Sequence, residues 1–144
     1  MIDSPLAALI PHQGSMCLLE RVVDWNEHHI RLTTATHRSA ANPLRSRGRL
    51  RTIHLCEYGA QAMAVHGALL AQSRGERAPP GMLVALRSVA LHCDYCDDLD
   101  GDLLVEAQCL QAGDTSQQYS FRISHESALL AEGRAAVMLG ADSR

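Results

Sequence analysis

Apolar residues run almost unbroken through IHLCEYGAQAMAVHGALLA, residues 53–71. Such a run predicts a helix buried on nearly every side, from about Thr52 to Gln72, with Thr52 as its N-cap. SRGERAPPG (73–81) closes it with Gly75, Pro79 and Pro80. On either side the pattern turns strand-like. LLERVVDW (18–25) is one apolar strand, and HHIRLTTATHR (28–38) alternates and is rich in β-branched residues. Residues 39–51 read as a loop broken by Asn42-Pro43 and Gly48. After the helix, MLVALRSVALHCDY (82–95), DLLVEAQCLQA (102–112), QQYSFRISH (117–125) and ALLAEGRAAVML (128–139) read as a meander of four antiparallel strands. Residues 3–9 suit a short helix, with Ser4 as cap and Pro5 in the first turn.

The order is therefore two strands, one long helix, then four strands. A helix apolar all round needs a sheet wrapped about it, so the expected class is α+β. The 144 residues form a single domain (1–144) with its core at about 6–139, free of repeats and low-complexity tracts.

Composition narrows the functional classes. The chain is 47% hydrophobic and 20% charged, enough for a proper core. One Trp, one Phe and three Tyr supply a base-stacking surface poorly, and a net charge of -3 argues against a nucleic-acid partner. No apolar run reaches the roughly 18 residues of a membrane span, and MIDSPLAALIPHQG lacks the basic and apolar regions of a signal peptide. Five irregularly spaced cysteines do not make a disulfide framework, so a reduced, cytoplasmic protein is expected.

Against this apolar background the helix carries His54, Glu57 and Gln61 near its start. At about 100° per residue they fall within roughly 60° of one another and form one polar stripe. Such groups can act as general acid and base if a pocket reaches them, and backbone N–H groups at the helix start can polarise a carbonyl. A self-satisfied buried network or a wet subunit interface would produce the same stripe. His66 lies on another face and reads as a packed or interfacial residue. RSRGRLR (45–51) gathers Arg45, Arg47, Arg49 and Arg51 on one loop, a cluster suited to phosphate or an acidic partner, or simply to solvent. Cys93 and Cys96 form one CxxC, short of the four ligands zinc wants, so no metal site is expected. Nucleophile-elbow, P-loop and dinucleotide-binding patterns are absent, which leaves acid–base chemistry or none.

Two motifs carry a resemblance. Ile10-Pro11-His12 followed by Glu20-Arg21-Val22, within LIPHQGSMCLLERVVDW (9–25), resembles the N-terminal signature of β-hydroxyacyl-acyl-carrier-protein dehydratases. CEYGAQAMA (56–64) is similar to the start of their central helix, and most similar to the dehydratase-like proteins of aryl-polyene pathways. The resemblance covers roughly residues 6–139. It implies a hotdog fold, in which a curved antiparallel sheet wraps one long helix. It also implies a homodimer or a heterodimer with a related dehydratase. The substrate would be a 3-hydroxyacyl thioester carried on the phosphopantetheine of an acyl carrier protein, with no other cofactor.

On the same resemblance Glu57 matches the catalytic acid and Gln61 the nearby glutamine, while His12 matches a packing and loop-anchoring residue. The family's loop histidine is missing, because the matching loop reads Ala41-Asn42-Pro43-Leu44, and Arg51-Thr52 stands where proline-glycine is usual. Either His54 serves as base, or the chain is a non-catalytic partner of a complete dehydratase. The expected reaction is elimination of water to a trans-2-enoyl thioester, with the Arg45–Arg51 loop meeting the phosphopantetheine or the carrier. Acyl thioester hydrolysis is a further alternative on the same fold.

Overall fold

The computed structural model describes residues 17–76 and 81–140. All six strands are present: β1 (Arg21–Trp25), β2 (His29–Thr34), β3 (Gly81–Leu91), β4 (Leu103–Ala112), β5 (Ser116–His125) and β6 (Ala128–Leu139). One helix, α1 (Leu55–Ser73), lies between β2 and β3 in the chain. The strands make a single antiparallel sheet in the order β1-β2-β4-β5-β6-β3. This is the hotdog arrangement. The helix proposed over residues 3–9 lies outside the described residues.

Two strand ends and one strand pairing differ from the sequence reading. The second strand stops at Thr34, where a 3-10 turn at Thr36–Arg38 buries His37. The third strand stops at Leu91, so Cys93 and Cys96 sit in the loop after it. The last four strands are not a simple meander either. β4, β5 and β6 are consecutive neighbours, but β3 pairs with β6 at the far edge. Local patterning fixes which face of a strand is apolar, whereas the choice of neighbour is a long-range event.

The inner face of the sheet supplies Ile30, Leu32, Leu103, Val105, Tyr119, Phe121 and Ile123, all essentially buried. Helix α1 covers it over β2, β4, β5 and β6 with Leu55, Tyr58, Val65 and Leu69. Each such side chain contributes about 1.5–3 kcal/mol on burial. The helix comes close because two glycines make room for the only phenylalanine of the chain. A Cβ at Gly59 would lie 2.7 Å from the Phe121 ring, and one at Gly133 on β6 would lie 2.8 Å from it. Phe121 thus sets the depth at which the start of α1 is seated.

Candidate functional site around the helix start

The helix start is fixed by a short zipper. Leu50 N–H donates to Asp97 Oδ1 (2.9 Å), Cys96 N–H to the Leu50 carbonyl (3.1 Å) and Thr52 N–H to the Asp94 carbonyl (2.9 Å). Arg51 and Tyr95 form an isolated antiparallel bridge. Thr52 therefore does not cap the helix. It opens a 3-10 turn over Thr52–His54, its hydroxyl lies 3.3 Å from Cys93 Sγ, and the α-helix proper begins at Leu55. His54 occupies the N-cap position without a side-chain cap bond. Short 3-10 turns are common at the start of α-helices.

The structure brings Glu57 and Gln61 together. Gln61 is fully buried. Its Oε1 accepts from Leu18 N–H (2.9 Å), and its Nε2 donates to Glu57 Oε1 (3.3 Å). The amide's orientation follows from the chemistry, since the Leu18 backbone N–H can only donate and so must meet Oε1, which leaves Nε2 to Glu57. One side chain thus ties the segment before β1 to the helix and aims the Glu57 carboxyl. Both residues engage further groups as well. Glu57 is half-buried, as is His54. His12 lies outside the described residues.

A second network surrounds this pair and was not legible in the sequence. Tyr58, fully buried next to Glu57, lies with its hydroxyl 2.8 Å from Thr36 Oγ1 and accepts from Asn42 Nδ2 (3.0 Å). Thr34 and Thr36 hydroxyls both donate to the Leu18 carbonyl (2.6 Å each). Asn42 also donates to the Thr36 carbonyl (3.0 Å) and accepts from Leu44 N–H (2.9 Å). Burial pushes the Tyr58 phenol up to about 12, so it stays protonated. In the Ala41-Asn42-Pro43-Leu44 loop, Asn42 is thus a clasp between loop and helix. The Asn-Pro pair in the sequence was its only signal.

The arginine loop divides in two. Arg45 donates to the Gly48 carbonyl (2.7 Å) and the His37 carbonyl (3.2 Å). Arg49 forks onto both oxygens of Asp97 (3.1 and 3.0 Å) and stacks over Tyr95 at 4.0 Å. Asp97 is partly desolvated, yet the Leu50 amide and Arg49 outweigh this and hold its carboxyl below the usual range. Arg47 and Arg51 are exposed. Beside the helix start an open groove of about 760 Å³ has walls that include Arg51, Ile53, Leu91, His92, Cys93 and Tyr95, but not Glu57.

The remaining candidates are structural. His66 is buried, with Nε2 2.8 Å from the Asn26 carbonyl and Nδ1 2.7 Å from the Tyr119 hydroxyl. The carbonyl can only accept, so Nε2 carries the proton and Nδ1 accepts from Tyr119. Cys96 is buried and its thiol is pushed up to about 12 by desolvation. Among the described residues no cluster of three or more His, Cys, Asp or Glu could hold a metal ion. No described helix is long and apolar enough to cross a membrane.

Comparison with known proteins fits this geometry. The dehydratase heterocomplex ApeI:P from Xenorhabdus doucetiae superposes with a TM-score of 0.87 at 22% identity, covering 98% of this chain and 94% of that one. A hypothetical thioesterase from Streptococcus pneumoniae TIGR4, solved with coenzyme A, matches with a TM-score of 0.63 at 14% identity, over 86% of this chain and 88% of that one. AziG from S. sahachiroi matches with a TM-score of 0.57 at 19% identity, over 86% and 91%. At these identities the likeness shows the fold alone. No curated protein matches the chain. The ApeP-like family model, described as ApeP dehydratase, matches residues 4–143. The chain therefore belongs to the ApeP-like dehydratase family.

Proposed function

We propose that the chain is one subunit of a dehydratase that works with a second, related hotdog subunit on 3-hydroxyacyl thioesters of an acyl carrier protein. The observation that carries this reading is the Gln61 bridge. A fully buried amide, itself anchored on Leu18, spends its donor on the carboxyl of a half-buried Glu57. Burying an amide costs about 1–3 kcal/mol unless it is satisfied, so this placement reads as support for an acid that must be aimed.

In the proposed reaction a base takes the proton α to the thioester carbonyl. Glu57 gives a proton to the departing hydroxyl, and water and a trans-2-enoyl thioester leave. His54 is the base in this chain's own half-site, and Gln61 is a positioning residue.

The need for a second subunit is supported by two surfaces. One is β3, an edge strand on which Met82, Val84 and Leu86 are 68%, 52% and 40% exposed. A long apolar edge is a template for another strand. The other is a face of α1 where Glu57, Ala60, Ala64, Gly67 and Ala68 remain only half-buried. The name of the ApeI:P heterocomplex points the same way. Asn42 favours a shared catalytic apparatus, because the loop position at which related dehydratases carry histidine here clasps Tyr58 instead.

The test is an assay of the purified chain, alone and with a related dehydratase subunit, on a 3-hydroxyacyl carrier protein read by mass spectrometry. Water loss by the chain alone that disappears in His54→Ala and in Glu57→Gln supports both assigned roles. Activity only in the mixture, indifferent to His54→Ala, assigns the base to the partner. Release of free acid makes the chain a thioesterase. No turnover in either setting overturns the proposal.

A further inference from the structure

Across the outer face of the sheet, charges alternate in sign from strand to strand. Directly opposed positions run Asp24, Arg31, Glu106, Arg122 and Glu132, from β1 through β2, β4 and β5 to β6. His92, just past β3, lies 3.4 Å from Glu132 and extends the row. Opposite charges on facing strands support the register, and like charges oppose it.

The next row breaks the pattern. Arg134 on β6 is directly opposite Arg87 on β3, and both are exposed. Among the described residues neither guanidinium has an ion-pair partner. The pair sits at the sheet edge, where the register is interrupted between Arg87 and Ala90 and Ser88 adopts φ 54°. A bulge and a charge on an edge strand are both devices that discourage unwanted pairing.

Symmetry makes the consequence specific. If a second copy of the chain added its β3 antiparallel to this one, the contact would be isologous, and residues near the strand's middle would meet their own copies. Arg87 is one position from the middle of Gly81–Leu91. In a register centred on the strand its copy falls at the diagonal position, within reach of long side chains. The outer face would then carry four arginines in one cluster, two from each copy. A partner with an acidic side chain at that position would instead continue the alternation that the rest of the sheet follows.

We infer that Arg87, backed by Arg134, selects the subunit that docks on β3. It disfavours a second copy of this chain and favours a related hotdog subunit whose edge strand carries an acidic residue on the outer face. This rests on the reading of β3 as the subunit interface.

The test separates the two. Self-association is measured by sedimentation for wild type, Arg87→Glu and Leu86→Asp at low and high sodium chloride. The wild type should associate weakly and more strongly as salt rises. The mass-resolved equimolar mixture of wild type with Arg87→Glu, in which the variant serves as the acid-bearing probe, should give a mixed pair roughly tenfold more abundant than either self-pair at low salt, against about twofold for random pairing. That excess should vanish at high salt, where exposed charges are screened. A statistical mixture, or a tight wild-type dimer weakened by salt, overturns the inference. Leu86→Asp removes an apolar contact of β3 without touching its arginines. If all pairing survives Leu86→Asp, the interface reading fails. If Leu86→Asp abolishes pairing while the mixture stays statistical, the arginine inference alone fails.

Discussion

Replacing Gln61 by glutamate tests whether one amide aims Glu57. The exchange is nearly isosteric. One oxygen can still accept from Leu18 N–H, now 2.9 Å from Oε1, but the atom 3.3 Å from Glu57 Oε1 changes from donor to acceptor. Two carboxyls would then meet, the one at position 61 fully buried and Glu57 half-buried. Burial and the neighbouring carboxyl both raise the folded-state pKa of the introduced carboxyl above its unfolded value of about 4.3. A raised pKa contributes stability below the unfolded value and loses it as pH climbs towards the folded value. The loss runs at about 1.4 kcal/mol per pH unit. Urea unfolding of variant and wild type should therefore show a penalty that grows between about pH 5 and about pH 7, by at most about 1.4 kcal/mol per pH unit. Gln61→Met supplies the contrast. It introduces no titrating group, leaves Leu18 N–H without its acceptor and Glu57 without the Nε2 donor, and should cost about 1–3 kcal/mol. The same penalty for Gln61→Glu at both pH values would show that Gln61 and Glu57 are not coupled.

Three further outcomes are expected. Tyr58→Phe removes the hydroxyl shared by Thr36 and Asn42, and should cost about 1–2 kcal/mol in chemical denaturation and speed amide exchange in the 39–45 loop; unchanged exchange would free Asn42 of its clasp role. Burial holds both His37 and His66 below the ordinary histidine range, so their contribution to stability is present above about pH 6.5 and is lost as pH falls through their folded values. The thermal midpoint should drop between about pH 7 and about pH 5, and a His66→Gln variant should drop less; equal slopes would remove His66 from the account. Finally, Arg47→Glu with Arg51→Glu should weaken carrier-protein binding and its salt dependence with little effect on stability, whereas Arg49→Glu should destabilise through Asp97; unchanged affinity returns Arg47 and Arg51 to solvent.

What the sequence made legible depended on whether the cause was local. Periodicity located the helix and six strands, because each alternation is read within its own segment. It missed the pairing of β3 with β6, which no segment encodes alone. The same holds for the helix start. Thr52 looked like a cap because its type and place fit one, but its N–H is bonded to the Asp94 carbonyl and it opens a 3-10 turn ahead of the helix. Glu57 and Gln61 stood out as polar groups on an apolar helix, and they do meet. Tyr58 and Asn42 did not stand out, since a tyrosine in a core and an asparagine before proline are ordinary in isolation. Gly59 lacked a signal as well, because its reason is Phe121, sixty-two residues further along the chain.

One mismatch between sequence and single-chain structure points back to the assembly. The 53–71 segment is apolar on nearly every face, yet the sheet covers only part of α1 and leaves Ala60, Ala64, Gly67 and Ala68 half-buried. These are small residues in line with Glu57, at spacings that place them on one side of the helix. Small side chains on an unshielded face cost little in water and permit close approach of another backbone. β3 shows the same surplus, with Leu83, Leu86 and Leu91 exposed on a strand that α1 hardly reaches. Hydropathy reports the burial a segment has in its working state, and one copy of this fold does not use all of it. Under the proposed pairing a second subunit would cover the unused apolar surface of both elements. A subunit docked on that face of α1 would complete its cover, and Glu57, which shares the face with Ala60 and Ala64, would lose its remaining exposure to water.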